Sequence, residues 1–339
     1  MPLANFVYQY DMVIFDMDGV ITSEQNYWNS AALTVYEMLH SSDFFGSEAL
    51  SATWCMKNVA SIRAEVFGRD RLIGILKEKG VNSNWDLAYL VICLELLVPG
   101  QTPDERYEYI KAKFSDTILN DYDWIARQTG EKIGRDASRT SAFWKTISQV
   151  FQHWFLGDEL YFKTNTAVSA IRGKTGFLQE EKPIIDGGTL KEIMRLLHEE
   201  GIRLGIATGR PQDEMMAPLR SFGIDPYLEP ESKISYTYIK NAEDALGGIS
   251  LTKPHPYIFL KSLLGERYPD RDIAEGNFDH SLPKTALIVG DAGADILAAQ
   301  NMGSDFLAVL TGVKGKGGRS YFESLSSTYI LNSLADLLV

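Results

Sequence analysis

The chain has 339 residues, 45 % of them hydrophobic and 23 % charged. That is ordinary globular usage and excludes a disordered, collagenous or low-complexity protein. At roughly 100 to 200 residues per domain the length suggests about two domains. Lys and Arg number 33 against 45 Asp and Glu, a formal net charge of −12, and a field of that sign repels nucleic acid and anionic membrane surfaces. Neither is expected as a partner. An anionic small molecule stays open as a ligand, because a metal and a few local cations can reverse the field inside a pocket.

Cys55 and Cys93 are the only cysteines, with no Cys-x-x-Cys or His-x-x-x-His spacing, so neither a disulfide framework nor a zinc site is expected. No basic N-terminal segment leads into an apolar run, and no stretch approaches about 18 uncharged apolar residues. The expectation is a soluble, unsecreted protein of the reducing cytoplasm.

In chain order, Met12 to Phe15 is a continuous apolar run ending abruptly in Asp16-Met17-Asp18-Gly19, the pattern of a buried parallel strand that delivers polar residues at its C-terminal edge. From Ser23 to about Pro183 helical periods dominate, in Trp28 to Leu39, Trp85 to Leu97, Thr102 to Leu119 and Thr140 to Phe155, without strand alternation. A helix opens at Thr189-Leu-Lys-Glu with capping-box spacing. It carries Leu190, Ile193, Met194 and Leu197 on one face and stops at Gly201. A strand over Ile202 to Ala207 then runs into Thr208-Gly209-Arg210-Pro211. Ala286 to Val289 repeats the device before Gly290-Asp291, with a helix from about Ala292 to Met302 and a further strand over Phe306 to Leu310. The reading is an α/β fold with a Rossmann-like parallel-sheet core over residues 1–22 and 184–339, interrupted by a large all-helical domain over 23–183. In such sheets the ligand crevice lies outside the carboxyl ends of the strands.

Four clusters at those ends carry chemistry. Asp16 and Asp18 are like charges in a partly desolvated place, costly to gather unless a cation or proton intervenes. Asp291 and Asp295, one helical turn apart, can reach the same crevice, although helix N-terminal acids also serve the dipole alone. Carboxylates and carbonyls without a Cys or His cluster favour Mg²⁺ over zinc, and Mg²⁺ shares itself readily with a substrate phosphate. Thr208 and Gly209 offer a hydroxyl and loop amides to an anion. Lys253, before Pro254-His255-Pro256, is expected near a helix start. Lys163, Arg172 and Lys174 are candidate substrate contacts in the helical domain, more commonly solvated cations. Gly173-Lys174-Thr175 is no nucleotide loop, because Val168 stands where that motif needs glycine. The tryptophans Trp28, Trp54, Trp85, Trp124, Trp144 and Trp154 all lie in the helical domain and are expected mainly in its core.

The ordered set Asp-x-Asp-Gly-Val, Ala-Thr-Gly-Arg, Lys-Pro and Gly-Asp-x-x-x-Asp resembles the four motifs of the haloacid dehalogenase-like (HAD) hydrolase superfamily. The position of the insertion resembles the helical C1 cap of its subfamily I. The resemblance implies Asp16 as the nucleophile that forms an aspartyl-phosphate and Asp18 as the acid and base for the leaving group and the water. It also implies Thr208, Gly209 and Lys253 as binders of the phosphoryl group. Mg²⁺ would be held by Asp16, the Asp18 backbone carbonyl and Asp291, with Asp295 a ligand or an acceptor behind one. The implied activity is hydrolysis of a small-molecule phosphomonoester. Alternatives are a sugar-phosphate mutase of the β-phosphoglucomutase type, which would keep Asp18 as well, and a non-catalytic sensor of a phosphorylated ligand. The insertion is longer than a typical C1 cap, so the substrate does not transfer by analogy.

Overall fold

Strand β1 (Met12–Phe15) is buried along its whole length, which is why its sequence shows no alternation: both faces are covered. Val13 and Phe15 point into one apolar layer, with Leu190, Ile193, Met194 and Leu197 of the helix Gly187–Glu199. Met12 and Ile14 point into the other, with Ile258, Phe259 and Leu260 of the helix Tyr257–Leu264. The computed structural model describes residues 2–81, 83–313 and 315–339. Met1, where the expected core begins, lies outside them.

The sheet adds β2 (Arg203–Ala207), β3 (Lys233–Ile234), β4 (Ala286–Gly290), β5 (Asp305–Val309) and β6 (Tyr329–Leu331). All pairings are parallel, in the spatial order β3-β2-β1-β4-β5-β6. The chain builds outward from β1 through β2 and β3, then returns to the other flank of β1 with β4. That reversal between β1 and β4 opens a crevice at their carboxyl ends, and register sets Phe15 level with Val289 there. The α/β class is the one the sequence indicated. Two strands were not anticipated: β3 is two residues long, and β6 is a half-buried edge.

Local details differ from expectation for physical reasons. The helix expected at Thr189 begins at Gly187, because Asp186 is its cap and accepts from the Thr189 amide at 2.8 Å. Lys253 does not start a helix; the helix begins at Tyr257, and Lys253 stays in the preceding loop. The helix Gly293–Met302 ends on Gly303 in the left-handed conformation, φ 85°. Residues 266–284 contain the short helix Asp270–Glu275.

The chain divides into two compact units, Met1–Glu24 with Glu181–Val339, and Gln25–Glu180. The second unit is helical, with no strand among its described residues. Its principal helices are Gln25–His40, Val59–Phe67, Asn84–Leu97, Pro103–Lys113, Tyr122–Ile133 and Ala142–Tyr161, the last broken at Gly157. Trp154 is fully buried in this unit, whereas Trp54 is half exposed. Lys174 is no free substrate cation here: it is buried, paired with Glu37 at 2.8 Å, and its ammonium sits 4.3 Å over the Trp154 ring. Cys55 and Cys93 are both free and buried. No described helix is long and apolar enough to cross a membrane.

Beside that pair, His153 is buried with Nε2 2.7 Å from Asp158. Its pKa falls to about 4, through burial first and then the Lys174 charge, with Asp158 opposing the fall. The unfolded chain takes up this proton below about pH 6.5 while the folded chain resists it. The stability tied to His153 is therefore complete above that pH and drains away as pH falls toward 4. His153→Gln is expected to flatten the loss of thermal stability between about pH 6.5 and 4. Melting curves at stepped pH check this; equal slopes in the wild type and the variant contradict it.

Candidate active site

The site grows from the carboxyl edge of β1 and its neighbours. Asp16 is the first residue past β1, and its amide still bonds Val289 O of β4 at 2.8 Å, so the ladder carries its backbone rigidly to the crevice. Its side chain is buried beside Lys253, whose Nζ lies 2.5 Å from Asp16 Oδ1, 2.8 Å from Asp295 Oδ1 and 3.1 Å from the Ala207 carbonyl. The Lys253 ammonium thus has three oxygen partners, two at the ends of β1 and β2 and one on the helix after β4. Burial works to lower the Lys253 pKa, but the two carboxylates outweigh it and hold it above the usual lysine range. Burial pushes the Asp16 carboxyl up to about 7, with Lys253 opposing the rise and Asp295 and Asp18 adding to it.

Asp291 follows β4, and Asp295 lies on the first turn of the helix Gly293–Met302, where its Oδ2 accepts from the Ala292 amide at 3.3 Å. Carboxylate oxygens of Asp16, Asp291 and Asp295 fall within 4.8 Å of one another. Glycines make this crowding possible. Gly19 has φ 78°, and a Cβ there, or on Gly312 after β5, would overlap the Asp291 carboxylate. Thr311 Oγ1 donates to Gly19 O at 2.5 Å, tying the loop after β5 to the turn after β1.

Thr208 stands past the end of β2, buried; its amide donates to Ile234 O at 3.0 Å, and its hydroxyl accepts from the Arg210 amide at 3.2 Å. A Cβ on Gly209 would meet nothing within 4 Å, so the loop is open at that residue. Asp18 goes elsewhere. Its carboxylate stands apart from the three-acid group and faces Arg210, whose Nη2 is 2.6 Å from Asp18 Oδ1. Arg210 is bound in turn by Glu181 through two hydrogen bonds of 2.6 and 2.8 Å. The structure therefore gathers Asp16, Asp291, Asp295 and Lys253, sets Thr208 and Gly209 on the neighbouring strand end, and turns the Asp18 side chain to an arginine. Sequence reasoning quoted Arg210 within Ala-Thr-Gly-Arg without giving it a role. It missed Glu181 altogether, because Glu180-Glu181-Lys182 has the look of a solvated charge run.

The arrangement holds a buried carboxylate against one cation, beside a set of hard oxygen donors. The chain belongs to the haloacid dehalogenase-like hydrolases, matching that family over residues 10–303. It is thus an enzyme of a hydrolytic family. Among curated proteins it is similar to the pyrophosphatase PpaX of Bacillus mycoides, 25 % identical over 150 residues covering 44 % of this chain and 57 % of that one. A second relative is the pyrophosphatase PpaX of Halalkalibacterium halodurans, 25 % identical over 147 residues covering 43 % and 55 %. The chain spans about half the length of the curated relatives it matches. Among solved structures, an X-ray structure of a structural-genomics target aligns with TM-score 0.77 at 26 % identity, covering 96 % of this chain and 97 % of the other. The phosphatase Tt82 of Thermococcus thioreducens aligns with TM-score 0.51 at 19 % identity, covering 93 % and 99 %, a likeness of fold.

Lys253 is the shared partner of two buried carboxylates, so removing it leaves both without their cation. Lys253→Met is expected to cost about 3 to 5 kcal/mol of stability at neutral pH, with less loss near pH 5, where Asp16 can take a proton instead. Urea unfolding at the two pH values checks this; a loss below about 1 kcal/mol at neutral pH contradicts it.

Proposed function

We propose that the protein is a Mg²⁺-dependent phosphatase that hydrolyses a small-molecule phosphomonoester through an aspartyl-phosphate on Asp16. The single observation that carries the reading is the buried Asp16 carboxylate, held by Lys253 at 2.5 Å and grouped with Asp291 and Asp295.

The donor set fits the metal. Three carboxylates with no thiol or imidazole among them suit a hard divalent cation. Asp16, Asp291 and the Asp18 backbone carbonyl would hold it, with Asp295 either joining them or remaining on Lys253. Bound there, Mg²⁺ would neutralise phosphate charge and orient the ester.

The protein's own residues account for the remaining chemistry. Asp16, fixed on a strand end, attacks phosphorus in line, and the covalent intermediate divides one hard step into two. Asp18 gives a proton to the leaving oxygen and then takes one from the attacking water, help worth about 10² to 10⁴ in rate. Lys253 and the Thr208 and Gly209 loop meet the charge on the transferring group. The helical unit, inserted after Asp16 and Asp18 in the chain, would be the cap that sets substrate choice. The net charge of −12 supports a small ester over a nucleic acid, and the two free cysteines support a cytoplasmic setting.

Phosphate release from a panel of sugar phosphates, phosphoglycolate, nucleotides and pyrophosphate tests the reading, with Mg²⁺ or EDTA. Pyrophosphate is included because the relatives bear that name. Mg²⁺-dependent release that falls by at least about 10³-fold in folded Asp16→Asn is the expected result. Turnover retained in that variant contradicts the nucleophile, and isomerisation of a hexose phosphate faster than its hydrolysis replaces the phosphatase with a mutase.

A further inference from the structure

We propose that Arg210 and Glu181 are positioning residues for Asp18, holding the carboxylate that shuttles the proton; the inference rests on the phosphatase reading above. Arg210 is buried, and every nitrogen of its guanidinium is engaged. Nε lies 3.2 and 3.1 Å from the two Asp18 oxygens, and Nη2 reaches Asp18 Oδ1 at 2.6 Å and Thr22 Oγ1 at 2.9 Å. Nη1 reaches Glu181 Oε2 at 2.6 Å and the Glu214 carbonyl at 3.3 Å, while Nη2 also meets Glu181 Oε1 at 2.8 Å. Thr22 Oγ1 completes the cluster, 3.2 Å from Asp18 Oδ1 and 3.1 Å from the Met17 carbonyl.

The side-chain exposures order these groups. Arg210 is 1 % exposed and Glu181 2 %, whereas Asp18 is 25 % exposed. Asp18 is the end of the chain of charges that a substrate can meet, and the other two stand behind it. Glu181 makes no hydrogen bond to Asp18 and acts by fixing the planar fork of Arg210, a geometry a lysine cannot reproduce. The backbone holds Glu181 in place: Thr22 bridges Pro183, and the Ile184 amide donates to Ile21 O at 2.9 Å. The segments on either side of the helical insertion are thereby stitched together beside Asp18. Buried ion pairs of this kind add little net stability, so a three-member cluster ending in an accessible carboxylate next to the nucleophile points to use in the reaction.

In the first step an Asp16 oxygen bonds to phosphorus and the ester P–O bond breaks. Its electron pair goes to the leaving oxygen, which takes the proton of the Asp18 carboxyl. In the second step water attacks phosphorus and gives its proton to the Asp18 carboxylate. The Asp16–phosphorus bond breaks, and phosphate and the free Asp16 carboxylate remain. Asp18 must meet two oxygens at one place in turn, and an unfixed side chain serves both poorly.

Glu181→Gln and Arg210→Lys test this on the best alkyl phosphate of the panel and on p-nitrophenyl phosphate, whose leaving group departs without a proton. On the alkyl ester, kcat is expected to fall about 10- to 100-fold with KM held within about threefold. On p-nitrophenyl phosphate the variants are expected to show a burst of about one equivalent of nitrophenol per site and then slow turnover, since the aspartyl-phosphate forms but waits for its water. Glu181→Asp, which keeps the charge, is expected to recover part of the alkyl-ester rate. Equal loss on both esters without a burst, or no loss on either, overturns the proposal. So does failure of both Glu181→Gln and Arg210→Lys to fold, because the cluster would then serve the fold. A wild-type protein that releases phosphate from no ester sinks the phosphatase reading instead.

Discussion

Repulsion among carboxylates is the constraint on which the rest of this molecule's core depends. Asp16 and Asp18 follow β1, Asp291 follows β4 and Asp295 lies on the first turn of the helix after it, and like charges in a desolvated place cannot all ionise unaided. Two buried cations divide the task. Lys253 lies between Asp16 and Asp295, and Arg210 takes Asp18. Asp291 is wedged beside Gly19 and Gly312, within reach of the Asp16 and Asp295 carboxylates. Burial is the main reason the Asp16 pKa rises to about 7, and the neighbouring Asp295 and Asp18 charges add to it while Lys253 opposes it.

The fold gathers these charges where chemistry can use them. Reversal of the winding direction between β1 and β4 opens a crevice no loop must cross, and the covered parallel sheet fixes the strand ends beneath it. A carboxylate attached to a buried ladder keeps its position at small entropic cost when substrate arrives. The helical unit follows a similar rule within its own core: Lys174 and Glu37 are buried only as a pair, and His153 stays neutral beside them.

How much was legible in the sequence depended on the range of the interaction. Met12 to Phe15 announced itself because a doubly covered strand must be continuously apolar, and Asp16, Asp291 and Lys253 stood out because their strands or prolines mark them. The helical period over Thr102 to Leu119 marked the helix Pro103–Lys113, which stops at Phe114, short of the expected end. By contrast β3 is too short to carry a period. The Arg210–Asp18 pair spans 192 positions, and Lys174–Glu37 spans 137. A lysine or glutamate in a charged stretch looks solvated until the fold buries it, so the buried partners of Asp18 and Trp154 were beyond any local pattern.

We propose that a divalent cation completes the charge balance of the Asp16, Asp291 and Asp295 group. Calorimetric titration of Mg²⁺ into metal-free protein at pH 7.5, beside Asp291→Asn, tests it most directly, because it needs no substrate and no turnover. The account predicts about one Mg²⁺ per wild-type chain and at least about tenfold weaker binding in the variant. Equal binding by the two proteins, or none by the wild type, would contradict it.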